Sequence, residues 1–467
     1  MKILLRDIIK ATKGQLILGD PMVSAEGFCV DSRLVKPGEI FFALSGQNKD
    51  GHGFVQEVFR KGASAVIVSQ LDWLAKDSKG ITNVIQVKSP LEALQKTANF
   101  IRSQFLGPVV GITGSNGKTT TKQMLGSILA KNNPGLLTQG NYNSQIGLPI
   151  VLSHLLPEHQ WIVLEMGASS KGNIAALCEM GQPKVGIITS IGPAHLETFG
   201  SIQGIAAAKW ELIDSLPVDG CAVLPWGEAH LDPFIRSYKN KIIFFGEDSS
   251  CAVKASSIET GEQISFMLHL GSRSYPITLP LSGRFNVKNA MAAAAAAWAL
   301  NTPVEKIVEG LTSFQAPPMR MQVLSHSSGA VIINDAYNAN PASMAESIKS
   351  LMESYPNKKK YLIVGSMLEL GVDSERFHFH LGNELGRMNL EKIFLVGELT
   401  NKVFEGAESV GSLNGKFYQG KTFSDIAELL TRDLDSNSVV LLKGSRSNKL
   451  EKIIDYLMSP TEIKGNK

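Results

Sequence analysis

The chain has 467 residues, 43% of them hydrophobic and 19% charged, long enough for two or three domains of about 150 residues and too apolar for a disordered or fibrous protein. Its 46 Lys and Arg against 43 Asp and Glu leave a net charge of +3, so no global basic field marks a nucleic-acid binder and any phosphate recognition must come from placed groups. The cysteines, Cys29, Cys178, Cys221 and Cys251, lack the C-x-x-C spacing of a zinc site or redox pair and read as reduced thiols. The N-terminal run MKILLRDIIK is interrupted by Arg6 and Asp7 and has no cleavage pattern behind it. No apolar run approaches the roughly 20 residues of a membrane span. A cytoplasmic protein is the expectation.

Residues 1–107 are expected to form a small α/β unit, with strands at Ile40–Leu44 and Ala65–Val68 and helical patterns at Phe54–Gly62 and Leu91–Phe105. Gly107-Pro108 punctuates it. Residues 108–316 then read as a parallel sheet with crossover helices, since the buried runs VVGIT, WIVLEM and VGIITS each feed a glycine-containing loop. Pro317-Pro318 forms a stiff connector. Residues 317–467 carry AVIIND, KYLIVG, KIFLVG and SVVLLKG separated by helical segments, a second doubly wound pattern. No fixed-period repeat is present, so three distinct α/β units are predicted.

The most informative segment is VVGITGSNGKTTTKQML, in which a strand ending at Thr113 runs into Gly114, Ser115, Asn116, Gly117, Lys118, Thr119 and Thr120 and then a helix. Glycines there let amides converge on phosphate oxygens, Lys118 supplies a mobile charge, and the Thr119 hydroxyl suits a magnesium accompanying a nucleoside triphosphate. The general P-loop spacing would put its first glycine at Ile112, whereas here the glycines fall at Gly111 and Gly114. Downstream, WIVLEM delivers Glu165, and VGIITS leads to His195, both at strand ends where ligands bind in such sheets. Each alone also fits an ordinary structural role. Lys209 lies in an Ala-rich helical stretch, and its spacing alone places it on a solvated face.

The segments TGSNGKTT, GNYNSQIGLP, LEMGAS, SIGPAHLETFGS, AAAKWE, GRFNVKNAMAAA, NDAYNANPASM and KGSRS occur in this order, and the chain carrying them resembles the Mur ligases of peptidoglycan synthesis. Those are ATP-dependent amide-forming enzymes of three domains: an N-terminal UDP-sugar unit, a central P-loop ATPase unit and a C-terminal Rossmann-like unit. The resemblance implies that ATP activates a carboxylate as an acyl phosphate, which an amine then attacks. It implies magnesium, as two ions, at Thr119, Glu165, His195 and Lys209, with Lys209 carbamylated. Lys118 and Arg320 would meet the γ-phosphate, Asn289 the adenine and Asp335 the ribose. By spacing alone Asn289 and Asp335 could equally be helix caps, and Arg320 a solvated linker residue.

Substrate contacts implied by the resemblance are Ser32, Arg33, Gly46 and His52 for the UDP-sugar, with a turn and surface Arg as the alternative at Asp31-Ser32-Arg33. Asn141, Asn143 and Gln145 would line the sugar–peptide channel; Asn338, Lys443, Ser445 and Arg446 would meet phosphate or the incoming amine substrate. DAYNANPASM, VGSMLELG and HLETFGS are similar to the branch that joins D-alanyl-D-alanine to UDP-N-acetylmuramoyl-tripeptide. The third-residue branch, adding diaminopimelate or lysine, is the main alternative, but the Arg of its D-N-P-R motif is here Ala342. A nucleotide-switched binding protein is the alternative from another class. Phe285 stands where the family usually has His, and Ser366 where it usually has Asp. A monomer acting on small molecules, without nucleic acid, is expected.

Overall fold

The computed structural model describes residues 2–46, 49–73, 80–193, 196–411, 415–420 and 422–458. Three sheets account for the three runs of buried strands. The first is five-stranded, in the order Gln15–Leu18, Val84–Gln86, Ala65–Val68, Ile40–Phe42, Phe28–Cys29, parallel except for its first edge strand. Helix Pro90–Ser103 crosses out of it. Ser89 caps that helix by accepting from the Glu92 amide, and Pro90 occupies the first turn, where no amide donor is needed.

The second sheet has nine strands, in the order Leu136–Leu137, Ile162–Glu165, Val109–Thr113, Val185–Ile188, Cys221–Pro225, Lys241–Gly246, Val253–Glu259, Ile264–Leu270, Arg273–Leu279. All neighbours are parallel up to Val253–Glu259; the last two pairings are antiparallel. That antiparallel extension adds to the parallel pattern expected from sequence. Its strand Ile264–Leu270 alternates buried and half-buried residues, as a strand with one face on the core must. The Ala-rich helix Phe285–Ala299 is buried along most of its length. It packs on helix Lys118–Leu129, as does helix Val304–Thr312. The second contact is so close that a Cβ on Gly310 would lie 2.3 Å from the Ile128 Cα.

The third sheet runs Gln322–Ser325, Val331–Asp335, Ser438–Lys443, Lys359–Gly365, Lys392–Val396, Phe417–Gln419, parallel except for the first strand. Its two faces bury separate apolar clusters, one around Ile333, Leu362 and Leu441, the other around Ile332, Ile363 and Leu442.

The units are not equally joined. Leu94 and Ile101 of helix Pro90–Ser103 belong to the same continuous apolar cluster as Leu148, Ile162 and Leu177 of the central unit. Polar ties reinforce the join. Buried Arg102 donates from Nε to Gly181 O at 2.8 Å, from Nη1 to Phe105 O at 2.8 Å and from Nη2 to Gln182 O at 3.1 Å. The third unit instead meets the others across a cleft, with Phe285 of the central unit packed against its core.

Arg102→Met is therefore expected to destabilise the joined first and second units by about 2–4 kcal/mol, because buried carbonyls would lose a charged donor. A urea titration followed by a probe in the first unit should show a lower midpoint.

Candidate active site

Strand order builds the site. Val109–Thr113 lies between Ile162–Glu165 and Val185–Ile188, so the loop after Thr113 opens with Glu165 on one side and Thr189 on the other. The loop is held tightly. Gly114 has φ 151°, and a Cβ there would fall 1.9 Å from Thr189 Oγ1. Gly117, at φ 83°, would set a Cβ 2.3 Å from Asn289 Oδ1. Both positions demand glycine on sterics alone. Helix Lys118–Leu129 starts at Gly117 with no side-chain cap, leaving its positive end available to an anion.

Glu165 is buried and fully engaged. Its Oε2 accepts from Thr119 Oγ1 at 3.0 Å and lies 3.1 Å from Lys122 Nζ; its Oε1 accepts from Asn143 Nδ2 at 2.9 Å. Burial alone would raise the Glu165 carboxyl, but the charges of Lys122 and Lys118 and the Asn143 hydrogen bond outweigh it and hold it below its ordinary value. Lys118 Nζ folds back onto its own loop, donating to Gly114 O at 2.7 Å.

Lys209 departs from the reading by spacing. Helix Ile202–Asp214 buries it at 4% exposure, and its ammonium is pulled down to about 7, first by burial and then by the charge of Lys118. A lysine on a solvated face would not titrate there. Near neutrality an appreciable fraction is a free amine.

The third unit reaches into the same cleft. Arg320 Nη2 donates to Thr119 Oγ1 at 3.0 Å while its guanidinium lies 4.0 Å from the Tyr337 ring centroid. Asn340 Nδ2 donates to Asn116 Oδ1 at 2.9 Å. Asp335 ends its strand buried, accepting from Lys443 Nζ at 2.6 Å, Ser347 Oγ at 2.7 Å and the Met321 amide at 3.2 Å. It is not a helix cap; Asn340 fills that role for helix Pro341–Ser354. Asn289 also is no cap, lying buried inside helix Phe285–Ala299 and donating to Asn286 Oδ1 at 2.9 Å.

A cleft of about 980 Å³ gathers Gly114 to Thr120, Asn141, Asn143, Gln145, Glu165, Lys209, Asn289, Arg320, Asp335, Asn338 and Lys443. Thr113 is buried beneath it. His195 lies outside the described residues. Ser32, Arg33, Gly46 and His52 are apart from this cleft. Arg33 is exposed and clasps Asp31, Nη2 to Oδ2 at 2.6 Å, the geometry of a turn with a surface Arg. His52 is buried with Nδ1 on Asp50 Oδ1 at 2.6 Å and Nε2 accepting from the Ser69 amide at 2.9 Å. Ser445 and Arg446, unlike Lys443, are not among the residues lining the cleft. Ser445 Oγ accepts from the Leu368 amide at 3.0 Å, and Arg446 Nη1 pairs with Glu451 Oε1 at 2.8 Å.

Sequence reasoning missed Lys122, Tyr337, Asn340 as a tie to the P-loop, and Thr138, whose Oγ1 accepts from the Glu165 amide at 2.9 Å. Lys122 left a signal: four residues after Lys118, it occupies the same helix face, turned toward the strand ends. Of the departures from the family pattern, Phe285 is an apolar contact with the third unit's core. Ser366 is buried against Gly397, where a Cβ would lie 2.5 Å from Ser366 Oγ.

The donors fit a magnesium held jointly with phosphate. Among the described residues no group of three or more His, Cys, Asp or Glu could hold a metal unaided, and Thr119 with Glu165 offers one hydroxyl and one carboxylate 3.0 Å apart. That sparse set suits magnesium, which takes one or two carboxylates plus substrate phosphates.

Comparison with known proteins gives the family. Residues 25–102 match the model described as "Mur ligase family, catalytic domain", 112–297 "Mur ligase middle domain" and 319–446 "Mur ligase, glutamate ligase domain". The UDP-N-acetylmuramoyl-tripeptide--D-alanyl-D-alanine ligase of Bacillus subtilis is 33% identical over 436 residues, 93% of each chain. The structure of MurF from Acinetobacter baumannii superposes with a TM-score of 0.88 at 32% identity, covering 98% of this chain and 99% of that one. MurF from Thermotoga maritima in complex with ADP gives 0.81 at 28% identity, over 93% and 97%. With the family's segments in order and matching relatives spanning nearly its whole length, the chain belongs to the Mur ligase family.

Proposed function

We propose that the protein joins D-alanyl-D-alanine to UDP-N-acetylmuramoyl-tripeptide, with formation of ADP and phosphate, giving the pentapeptide precursor of peptidoglycan. The observation that carries the reading is the Thr119 hydroxyl, which touches Glu165 of its own unit and Arg320 of the third unit, each at 3.0 Å. Groups that manage phosphate charge thus converge from two units on one atom.

ATP with its magnesium supplies the phosphoryl group that converts the acceptor carboxylate into an acyl phosphate. The chain's own residues position and neutralise. Lys118, released from Gly114 O, can follow the terminal phosphates. Arg320, braced by the Tyr337 ring, presents its guanidinium from the opposite wall. Glu165, oriented by Lys122 and Asn143, and Thr119 would hold magnesium. Asn289 meets adenine and Asp335 the ribose. Buried Lys209, as a free amine, can add carbon dioxide to become a carbamate, which with His195 would hold a second magnesium. Asn141, Asn143 and Gln145 line the acceptor's path. Ser32, Arg33, Gly46 and His52 form the UDP end, where Arg33 would exchange Asp31 for a phosphate. Asn338, Lys443, Ser445 and Arg446 serve the amine substrate.

The dipeptide-adding branch is favoured over the third-residue branch by Ala342. It lines the cleft where that branch has arginine, and neighbouring Ser343 is engaged in capping Asn340. The site is composed within one chain, which favours a working monomer. The nucleotide and UDP-linked substrates place the reaction in the cytoplasm. Among the described residues no helix is long and apolar enough to cross a membrane.

A coupled ADP-release assay should show turnover only when UDP-muramoyl-tripeptide and D-alanyl-D-alanine are both present; equal release without the dipeptide would overturn the assignment. Lys209→Ala should lower kcat at least about 100-fold, as expected for losing a metal-organising group, with partial recovery in millimolar formate or acetate. Wild-type rates in that variant would remove Lys209 from the mechanism. Arg320→Ala should reduce kcat by about 100-fold or more, with the KM for the dipeptide nearly unchanged.

A further inference from the structure

One turn after Lys118, on the same face of the P-loop helix, stands Lys122. It is sealed from water, at 0% exposure. The helix is pressed onto strand Leu136–Leu137 one turn further on, where a Cβ on Gly126 would fall 2.5 Å from Leu137 Cδ1. Lys122 Nζ lies 3.1 Å from Glu165 Oε2, but it is not aligned for a hydrogen bond to that oxygen and makes none to any other atom of the described residues. Removing an ammonium from water is costly unless charge and hydrogen bonds together compensate. Here the compensation is charge alone.

Orientation of Glu165 would not by itself call for a buried cation. A neutral donor would serve, as Asn143 Nδ2 does at 2.9 Å and Thr119 Oγ1 at 3.0 Å. Nor does Lys122 face the phosphates, since unlike Lys118 and Arg320 it does not line the cleft. What a fixed charge behind Glu165 sets is the charge that a metal meets. Thr119 and Glu165 offer a divalent cation a single negative charge, which Lys122 cancels, while Lys118 and Arg320 lie close enough to act on the same carboxylate. Before nucleotide binds, this corner carries more positive than negative charge and repels a bare cation.

A triphosphate reverses the sum. Its oxygens engage Lys118 and Arg320, and its own charge brings the metal. Lys122, buried and without another partner to turn to, stays on Glu165 throughout. We propose that Lys122 makes the magnesium site conditional on nucleotide: by neutralising Glu165 it keeps the free ion out, so that metal and triphosphate enter as one unit. Lys122 is thus a positioning residue that acts through Glu165. The inference rests on the reading above that places magnesium at Thr119 and Glu165, and is independent of the identity of the amine substrate.

The test is binding of Mn2+, a paramagnetic stand-in for Mg2+, to the full-length enzyme without nucleotide, read as loss of the free-ion EPR signal. Wild type and Lys122→Arg, which keeps the charge, should bind the ion weakly. Lys122→Met, which keeps the length without the charge, should bind it about ten-fold tighter or more, and adding Glu165→Gln to that variant should abolish the gain. A loosened fold would weaken metal binding, so a gain reports the charge. Mn2+ affinity in Lys122→Met within two-fold of wild type would overturn the proposal, as would equal tightening in Lys122→Arg. So would nucleotide-free wild type binding Mn2+ as tightly as wild type loaded with a non-hydrolysable ATP analogue, a comparison that needs no variant to fold. Unchanged Mn2+ affinity of the analogue-loaded enzyme on Glu165→Gln alone would instead defeat the metal placement itself, and this inference with it.

Discussion

The structure turns on the close approach of Gly114 to Thr189. The P-loop strand is inserted between two parallel neighbours, and the loop leaves it with no room for even one methyl group. This packing fixes where helix Lys118–Leu129 begins, and therefore where Lys118, Thr119 and Lys122 stand. Glu165, one strand over, then meets Thr119 and Lys122 at hydrogen-bonding distance without a flexible connection between them. Interiors packed this tightly transmit small displacements. The electrostatics of the site is thus a consequence of strand order and of glycine's missing side chain.

The third unit depends on the same frame. It meets the P-loop through polar contacts, Arg320 on Thr119 and Asn340 on Asn116, whereas the first unit is fused to the second through a continuous apolar cluster. Apolar burial resists sliding, while a few hydrogen bonds exchange readily with water or substrate. The difference leaves the first two units as one continuous body and the third as a separable one across the cleft. Domain closure of this kind is how many ligand-gathering enzymes complete a site.

Much of this was legible in the sequence because it rests on short-range spacing. The P-loop, the strands that deliver Glu165 and Asp335, and the doubly wound pattern on either side of Pro317 are local signals. What could not be read depends on tertiary packing. Lys209 has the spacing of a solvated residue, yet the helix that carries it is covered on that side. Asn289 and Asp335 have the sequence context of caps, but Asn289 lies inside its helix, and the helix after Asp335 is capped by Asn340. Tyr337 under Arg320 and Thr138 behind Glu165 are far from their partners in sequence or unmarked by any motif. The family resemblance named residues expected to touch ligands and was silent about those that hold them in place.

The buried helix Phe285–Ala299 carries alanine at every position from 292 to 297. Alanine brings no rotamer entropy and the least bulk compatible with a helix, which lets this element lie close against the P-loop helix. It also leaves no slack. A single added methylene there meets a wall of strand and helix atoms, and overpacking of this sort typically costs about 1–3 kcal/mol or shifts the neighbouring backbone. Variation that looks conservative, such as valine for alanine, would thus act on phosphate affinity from behind. These positions form a mutationally brittle spine whose importance no inventory of ligand contacts would disclose.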